Sequence, residues 1–177
     1  MGAAGTLEKD INLQIAEKLK AELEEYGMEA VLTRETDENL ADEGASSIKV
    51  SDLKNRVAMI DETAPVLVVS IHQNSYTDSS VSGAQVFYYG QSAEGERLAQ
   101  VLQESLIETL DSSNTREAKA NDSYYMLKRT SVPTVIVECG FLSNPEEEAL
   151  LQETEYQDKI AEAVCEGIRA YLKDEQS

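Results

Sequence analysis

His72 and Glu138 are the residues best placed to do chemistry. Each follows a nearly all-apolar run: VLVVSI, residues 66–71, leads into His72, and TVIV, residues 134–137, leads into Glu138. Such runs read as strands covered on both faces. Open α/β sheets bind ligands at the carboxyl ends of their strands. A carboxylate in that position is costly unless it is paired, solvated in a cleft or bound to a cation. A histidine and a glutamate at neighbouring strand ends is what a hydrolytic site looks like. A hydrogen-bonded structural histidine and an Arg-paired structural glutamate would leave the same pattern, and these residues alone leave both readings open.

Composition narrows the chemistry. His72 is the single histidine, so this chain alone builds no site that needs two, which excludes H-E-x-x-H zinc sites and C2H2 fingers. Cys139 follows Glu138 directly, so on a strand it points to the opposite face. That sets it against acting as a nucleophile with His72 as base. Cys139 and Cys165 both lie in apolar runs and read as buried free thiols. Fifteen basic against 34 acidic residues give a net charge of −19. Nucleic acid is therefore not an expected partner, because duplex binding needs lysine and arginine to replace counterions. Anionic lipid is not one either. No apolar stretch approaches the ~18 residues of a membrane span. The start, MGAAGTLEKD, carries no basic or apolar leader region.

The elements that must position His72 and Glu138 alternate between helix and strand. The length of 177 residues and 41% hydrophobic content suit one compact domain. Ile11, Ile15, Leu19 and Leu23 recur every four residues, an amphipathic helix that starts near Glu8, with Thr6 just before it, and stops at Tyr26-Gly27. MEAVLT, residues 28–33, reads as a short strand. Residues 35–47 hold five acids and no base, a long loop that is either mobile or a rim. A second helix carries Val50, Leu53, Val57 and Ile60 and ends at Pro65. AQVFYY, residues 84–89, is the next strand, and residues 94–110 form a helix on Leu98, Val101, Leu102, Leu106 and Leu110. Residues 111–122 read as a loop and Asn144-Pro145 as an acidic turn. The last helix runs from Tyr156 to Leu172 on Ile160, Val164, Ile168 and Leu172. The alternation predicts an α/β fold: a single layered domain with a mostly parallel, twisted sheet flanked by helices.

In order along the chain, LEKDINL, VLTRETD, a helix holding Arg56, VSIHQNS and VIVECGFLSN resemble the zinc-dependent N-acetylmuramoyl-L-alanine amidases of the amidase type 3 family. These are cell-wall hydrolases of sporulation and cell separation. The resemblance runs from Gly2 to Leu172, and it is the combination of motifs that is specific. It implies zinc ligands at Glu8, from the EKD motif, and His72, from SIHxN. It implies a catalytic glutamate at Glu138, from VExGFLSN. Asn74 and Arg34 match family positions with supporting or structural roles.

The implied reaction is hydrolysis of the amide between N-acetylmuramic acid and L-alanine of peptidoglycan. The metal would polarise the carbonyl and acidify its bound water. Glu138 would take the proton of that water and pass it to the leaving nitrogen. An apolar wall from Val135, Ile136, Val137 and Phe141 would raise its pKa. The family's first zinc histidine lies in a GHGGxDxG segment after a first strand, and GAAG resembles the tail of that segment. The expectation is thus an amidase catalytic domain over residues 1–177, truncated at its N-terminus, with the first strand and one zinc ligand missing. Low zinc occupancy and weak or absent activity follow, because zinc sites take three or four protein ligands. The alternative is a non-catalytic module that binds peptidoglycan or a partner. Further expectations are a peptidoglycan or muropeptide ligand and a homodimer covering the missing strand, since open sheet edges invite pairing. The full-length protein is expected in an extracytoplasmic or cell-wall location. Tyr88, Tyr89, Tyr124 and Tyr125 read as packing residues or as the lining of a glycan groove.

Overall fold

The computed structural model describes Gly2 and residues 5–174; the ends of the expected 1–177 domain lie outside these. Among the described residues, four strands form one sheet: β1 (Val68–Asn74), β2 (Gln85–Tyr88), β3 (Lys119–Ala120) and β4 (Thr134–Phe141). Their order is β1-β4-β2-β3. β1 pairs parallel with β4 and β2 parallel with β3, whereas β2 runs antiparallel to β4. The expected mostly parallel sheet is thus a mixed one, parallel in two of its three pairings. β4 is buried along its whole length, as its unbroken apolar run requires, while β1 at the edge is only half-buried.

Among the described residues, six helices flank the sheet: α1 (Glu8–Glu25), α2 (Ile48–Thr63), α3 (Ala93–Leu110), α4 (Tyr125–Arg129), α5 (Pro145–Leu151) and α6 (Thr154–Asp174). Strand alternation separates two faces. Ile71, Val86, Val135, Val137 and Cys139 point into the main core, where Ile11, Ile15, Leu98, Leu102, Ile160 and Val164 of α1, α3 and α6 meet them. On the other face, Phe87 and Ile136 form a small cluster with Leu127 of α4, joined by Tyr89 and Tyr124. α3 and α6 approach closely at Gly167, where an added Cβ would lie 2.7 Å from Leu102 Cδ2.

Several sequence expectations change here. Residues 28–33 are not a strand. Met28 N–H turns back to Leu23 O, and Thr33 receives the Arg56 guanidinium on its hydroxyl. A β-favourable pattern becomes a strand only when a neighbour supplies its ladder. The first strand that the family resemblance places upstream falls outside the described residues. Thr6 does not cap α1. Leu7 holds the cap position without a side-chain hydrogen bond, and the Thr6 N–H donates to Glu148.

The acidic loop 35–47 is pinned to α2: Leu40 N–H donates to Asp52, Asp42 N–H to the Ser51 hydroxyl, and Asn55 to Leu40 O. The loop 111–122 contains β3, and α4 follows it unannounced. The acidic turn at 145 is the helix α5. Asn144 caps it through the N–H groups of Glu146 and Glu147, with Pro145 in the first turn, where a missing N–H is harmless. α2 ends on Ala64 in the left-handed region, φ 45°, just before Pro65.

Candidate active site

Pairing register brings the two sequence candidates together. His72 lies opposite Glu138 across the β1–β4 ladder, and Gln85 lies opposite Glu138 across the β4–β2 ladder. Residues paired in this way share a face, so His72, Glu138 and Gln85 form one row across three strands. The row belongs to the face that also carries Phe87 and Ile136. Both candidates sit inside their strands rather than after them, because the ladder continues to Asn74 in β1 and to Phe141 in β4. The register slips between His72 and Asn74. A bulge of this kind re-aims side chains beside a site.

Glu8 reaches the row from the first turn of α1. Its Oε1 lies 2.9 Å from His72 Nδ1 and accepts from the Gln73 N–H and from Asn12 Nδ2, each at 3.3 Å. The Ser70 hydroxyl meets the other ring nitrogen at 3.1 Å. Burial alone would raise the Glu8 pKa. The His72 hydrogen bond and charge, with Asn12 and the Gln73 amide, outweigh it and hold the carboxyl below its ordinary value. Side-chain exposures of 38% for Glu8 and 41% for His72 leave the pair open to solvent.

Glu138 is the opposite case. It is 6% exposed, and its Oε2 has no hydrogen-bond partner among the described residues. The Tyr124 hydroxyl lies 3.4 Å from Oε1. Burial pushes the Glu138 pKa up and the nearby Glu8 charge adds to this, partly offset by His72 and Tyr124. Of the expected apolar wall, Ile136 lies on this face; Val135 and Val137 belong to the main core.

Sequence reasoning placed Tyr124 only as packing or groove lining. Its ring does pack edge-on against Phe87, 5.9 Å between centroids, and this aims the hydroxyl at Glu138. The polar run NDSYY contained a signal. Asn121 accepts from the N–H groups of Ser123 and Tyr124, a turn that sets the start of α4.

The remaining candidates stand further off. Asn74 Oδ1 accepts from the Ser75 N–H and its carbonyl accepts from the Leu142 N–H, so it shapes the turn after β1. Arg34 donates to the carbonyls of Thr36 and Lys9, tying the loop to the start of α1 next to Glu8. Arg56 pairs with Asp52. Tyr88 donates to Glu96, and Tyr125 lies under Arg129. Cys139 is buried on the core face with its thiol pushed up to about 12 by burial, which removes it as a nucleophile.

The atoms that meet at the open end of the row, an imidazole nitrogen and a carboxylate oxygen, are of the types zinc takes. No group of three or more His, Cys, Asp or Glu among the described residues could hold a metal ion. Beside this pair, the Glu138 Oε2 is a buried carboxylate oxygen with no hydrogen-bond partner among the described residues, a rare state for a buried polar atom.

Known proteins share this sequence and fold. The chain is 40% identical, over 98% of its length and 75% of the relative's, to the germination-specific N-acetylmuramoyl-L-alanine amidase of Bacillus subtilis (strain 168). Its fold matches the CwlD amidase from Clostridioides difficile, solved in complex with the GerS lipoprotein. There the TM-score is 0.92 and the identity 40%, over 96% of this chain and 88% of that one. The N-acetylmuramoyl-L-alanine amidase AmiC2 of Nostoc punctiforme superposes with a TM-score of 0.83 at 33% identity, covering 97% and 88%. A family model described as N-acetylmuramoyl-L-alanine amidase matches residues 1–170. With the motifs, the fold and these relatives in agreement, the chain belongs to the N-acetylmuramoyl-L-alanine amidase family.

Proposed function

We propose that this domain hydrolyses the amide between N-acetylmuramic acid and the L-alanine of the peptidoglycan stem peptide. The observation that carries the reading is the Glu138 carboxylate, buried with Oε2 unpartnered, one strand from the Glu8–His72 pair. Glu8 and His72 would hold zinc, which when bound supplies Lewis-acid polarisation of the carbonyl and a more acidic water. Glu138 accepts the proton of the water as its oxygen bonds to the carbonyl carbon. It then delivers that proton to the nitrogen as the C–N bond breaks. Its raised pKa suits both halves of this transfer. Tyr124 holds Oε1, which leaves Oε2 for the proton. Arg34 and Asn74 fix the backbone around the site without touching the reactants.

Two protein ligands are fewer than zinc sites use. We therefore expect low zinc occupancy and slow hydrolysis from these 177 residues. Metal analysis of protein purified without chelator, beside a muropeptide hydrolysis assay, is the test. The expected result is substoichiometric zinc and slow release of the stem peptide, faster with added zinc. Stoichiometric zinc with brisk turnover would overturn the weak-site reading. Muropeptide binding with no cleavage at any zinc concentration would favour the non-catalytic module, the reading that the single histidine supports. The half-exposed edge of β1 supports a homodimer paired along it; a clean monomer at high concentration in sedimentation would remove that part. Peptidoglycan as substrate implies an extracytoplasmic or cell-wall location. No described helix is long and apolar enough to cross a membrane.

A further inference from the structure

The row that starts at Glu8 and His72 continues past Glu138 to Gln85, and Gln85 is tied to a cation. Arg116 Nη1 donates to Gln85 Oε1 at 3.1 Å, and Gln85 Nε2 donates to Glu117 O at 2.9 Å. Arg116 Nε donates to Ser82 O at 2.7 Å, and the guanidinium lies over the Phe141 ring, 4.8 Å from its centroid. Three contacts therefore fix the guanidinium plane. Nη2 makes no hydrogen bond among the described residues, and the side chain is half-buried rather than enclosed. The nearby carboxylate of Glu147 is already engaged by the N–H groups of Gly83 and Phe141, at 2.9 and 2.8 Å. A pinned guanidinium with a free N–H edge is the group best shaped to take a carboxylate. Burial raises the Glu147 pKa and the Arg116 charge acts to lower it, so the free N–H edge, rather than an unopposed positive field, is what distinguishes this spot in a chain of net charge −19.

The spacing fits a particular ligand. Strands lie ~4.8 Å apart, which puts Gln85 one strand from Glu138 on the side away from His72, and the Arg116 guanidinium is one hydrogen bond from the Gln85 side chain. An extended peptide advances about 3.3 Å per residue. A chain running along the row from a scissile amide at Glu138 would bring the residue after the alanine to Arg116. The geometry points to Arg116 as the residue that selects stem peptides with a free carboxylate on the residue following L-alanine, with Gln85 as its positioning residue. This inference rests on the muropeptide reading of the Glu138 site. It adds a preference for the acid over the amide at the second peptide position.

The test compares two soluble ligands by calorimetry on the whole chain at low salt: N-acetylmuramoyl-L-alanyl-γ-D-glutamyl-L-lysine, whose glutamate keeps a free α-carboxylate, and the same compound with that carboxylate as its α-amide, the γ-carboxyl being tied up in the peptide bond in both. The wild-type protein is expected to bind the acid about tenfold more tightly, the size of one charge-assisted contact. Arg116→Gln should bring the two affinities within about twofold by weakening the acid form more than the amide form. Arg116→Lys, which keeps charge and loses the fork, should retain an intermediate preference; it stands in if the glutamine variant fails to fold. A residue that merely ties Ser82 to β2 would, when replaced, weaken both ligands alike. Equal wild-type affinity for acid and amide overturns the inference while leaving the amidase reading intact. So does a preference that survives Arg116→Gln. Absence of binding by either ligand overturns the muropeptide reading itself, and this inference with it.

Discussion

Glu138 and Cys139 are neighbours on β4 and live in different solvents. Cys139 faces α1, α3 and α6 in a close-packed core, its thiol donating to Val137 O. Glu138 faces a thin cover made by α4 and a few aromatic rings, beside a histidine–carboxylate pair open to water. One strand thus carries a close-packed face and a face that holds the proposed acid–base group. The same burial that silences the thiol poises the carboxylate: it raises both pKa values, and only the carboxyl is brought nearer to neutral pH, where a proton can be both taken and given. Helix packing on the core side lets the other side remain under-satisfied. The Glu138 row holds an unpartnered carboxylate oxygen of a kind that a close-packed apolar core excludes.

The largest effect expected from breaking this division is at Glu138. Glu138→Gln should lower hydrolysis by about 10²–10⁴-fold in zinc-supplemented protein, the usual worth of a positioned acid–base group, and leave muropeptide binding in place. The same substitution should stabilise the fold. Because burial raises the folded-state pKa, the folded protein favours the protonated form, and the ionised form costs stability once pH exceeds the ordinary carboxylate range. Denaturant titrations should therefore show Glu138→Gln more stable than wild type near pH ~8, with the gap closing on acidification. A variant less stable than wild type at that pH would mean that Oε2 has a partner holding it.

On the opposite face the signs reverse. Leu102→Ala empties the fully buried contact between α3 and α6 at Gly167. It should cost about 3 kcal/mol of stability, read from denaturant unfolding, because a buried leucine leaves a cavity that rigid neighbours do not fill. Muropeptide affinity in the fraction that remains folded should stay at the wild-type value. A loss of affinity larger than the loss of folded protein would show that the two faces are coupled rather than divided.

The core face was legible in the sequence because it obeys simple periods. Ile11, Ile15 and Leu19 at helical spacing, and Val135 and Val137 at strand spacing, all arrived where their pattern sends them. The candidate site was legible in its ingredients, since Glu8, His72 and Glu138 stood out by type and motif. The parts that stayed hidden depend on partners that no local pattern encodes. Residues 28–33 have strand-like residues and no ladder. β3 is two residues long and exists only because β2 lies beside it. Tyr124 looks like any half-buried aromatic until β4 sets Glu138 against its hydroxyl. Gln85 acquires meaning only from antiparallel register, which places it opposite Glu138.

A smaller effect separates the two carboxylates within the reactive face. Glu8 is held below its ordinary pKa although burial opposes this, because His72, Asn12 and the Gln73 amide favour its charge. Its contribution to stability is therefore present above the unfolded-state pKa and lost as pH falls through the lower folded value, the reverse of Glu138. Glu8→Gln should cost at most about 1 kcal/mol at neutral pH, since the pair is more than a third exposed and solvent screens it. The cost should fade on acidification. Melting curves of the Glu8→Gln and Glu138→Gln variants against pH should consequently move in opposite directions relative to wild type. Parallel curves would remove the contrast between an exposed, paired carboxylate and a buried, orphaned one.

The smallest expected effect tests whether the thin cover over Glu138 acts through its polar tip or only through its bulk. Tyr124→Phe keeps the ring against Phe87, so unfolding free energy should change by less than about 1 kcal/mol, the net worth of one long hydrogen bond. Without the hydroxyl, Oε1 of Glu138 loses its Tyr124 donor, and the carboxylate is free to rotate. Turnover of zinc-supplemented protein should fall by roughly three- to tenfold at unchanged KM, because the lost contact positions a group used in the transition state rather than in substrate binding. Tyr124→Ala should add a stability loss that the phenylalanine variant does not show, since it also removes the ring. If Tyr124→Phe matches wild type in turnover while Tyr124→Ala loses stability alone, Tyr124 belongs with the packing residues. The reactive face would then owe nothing to its hydroxyl.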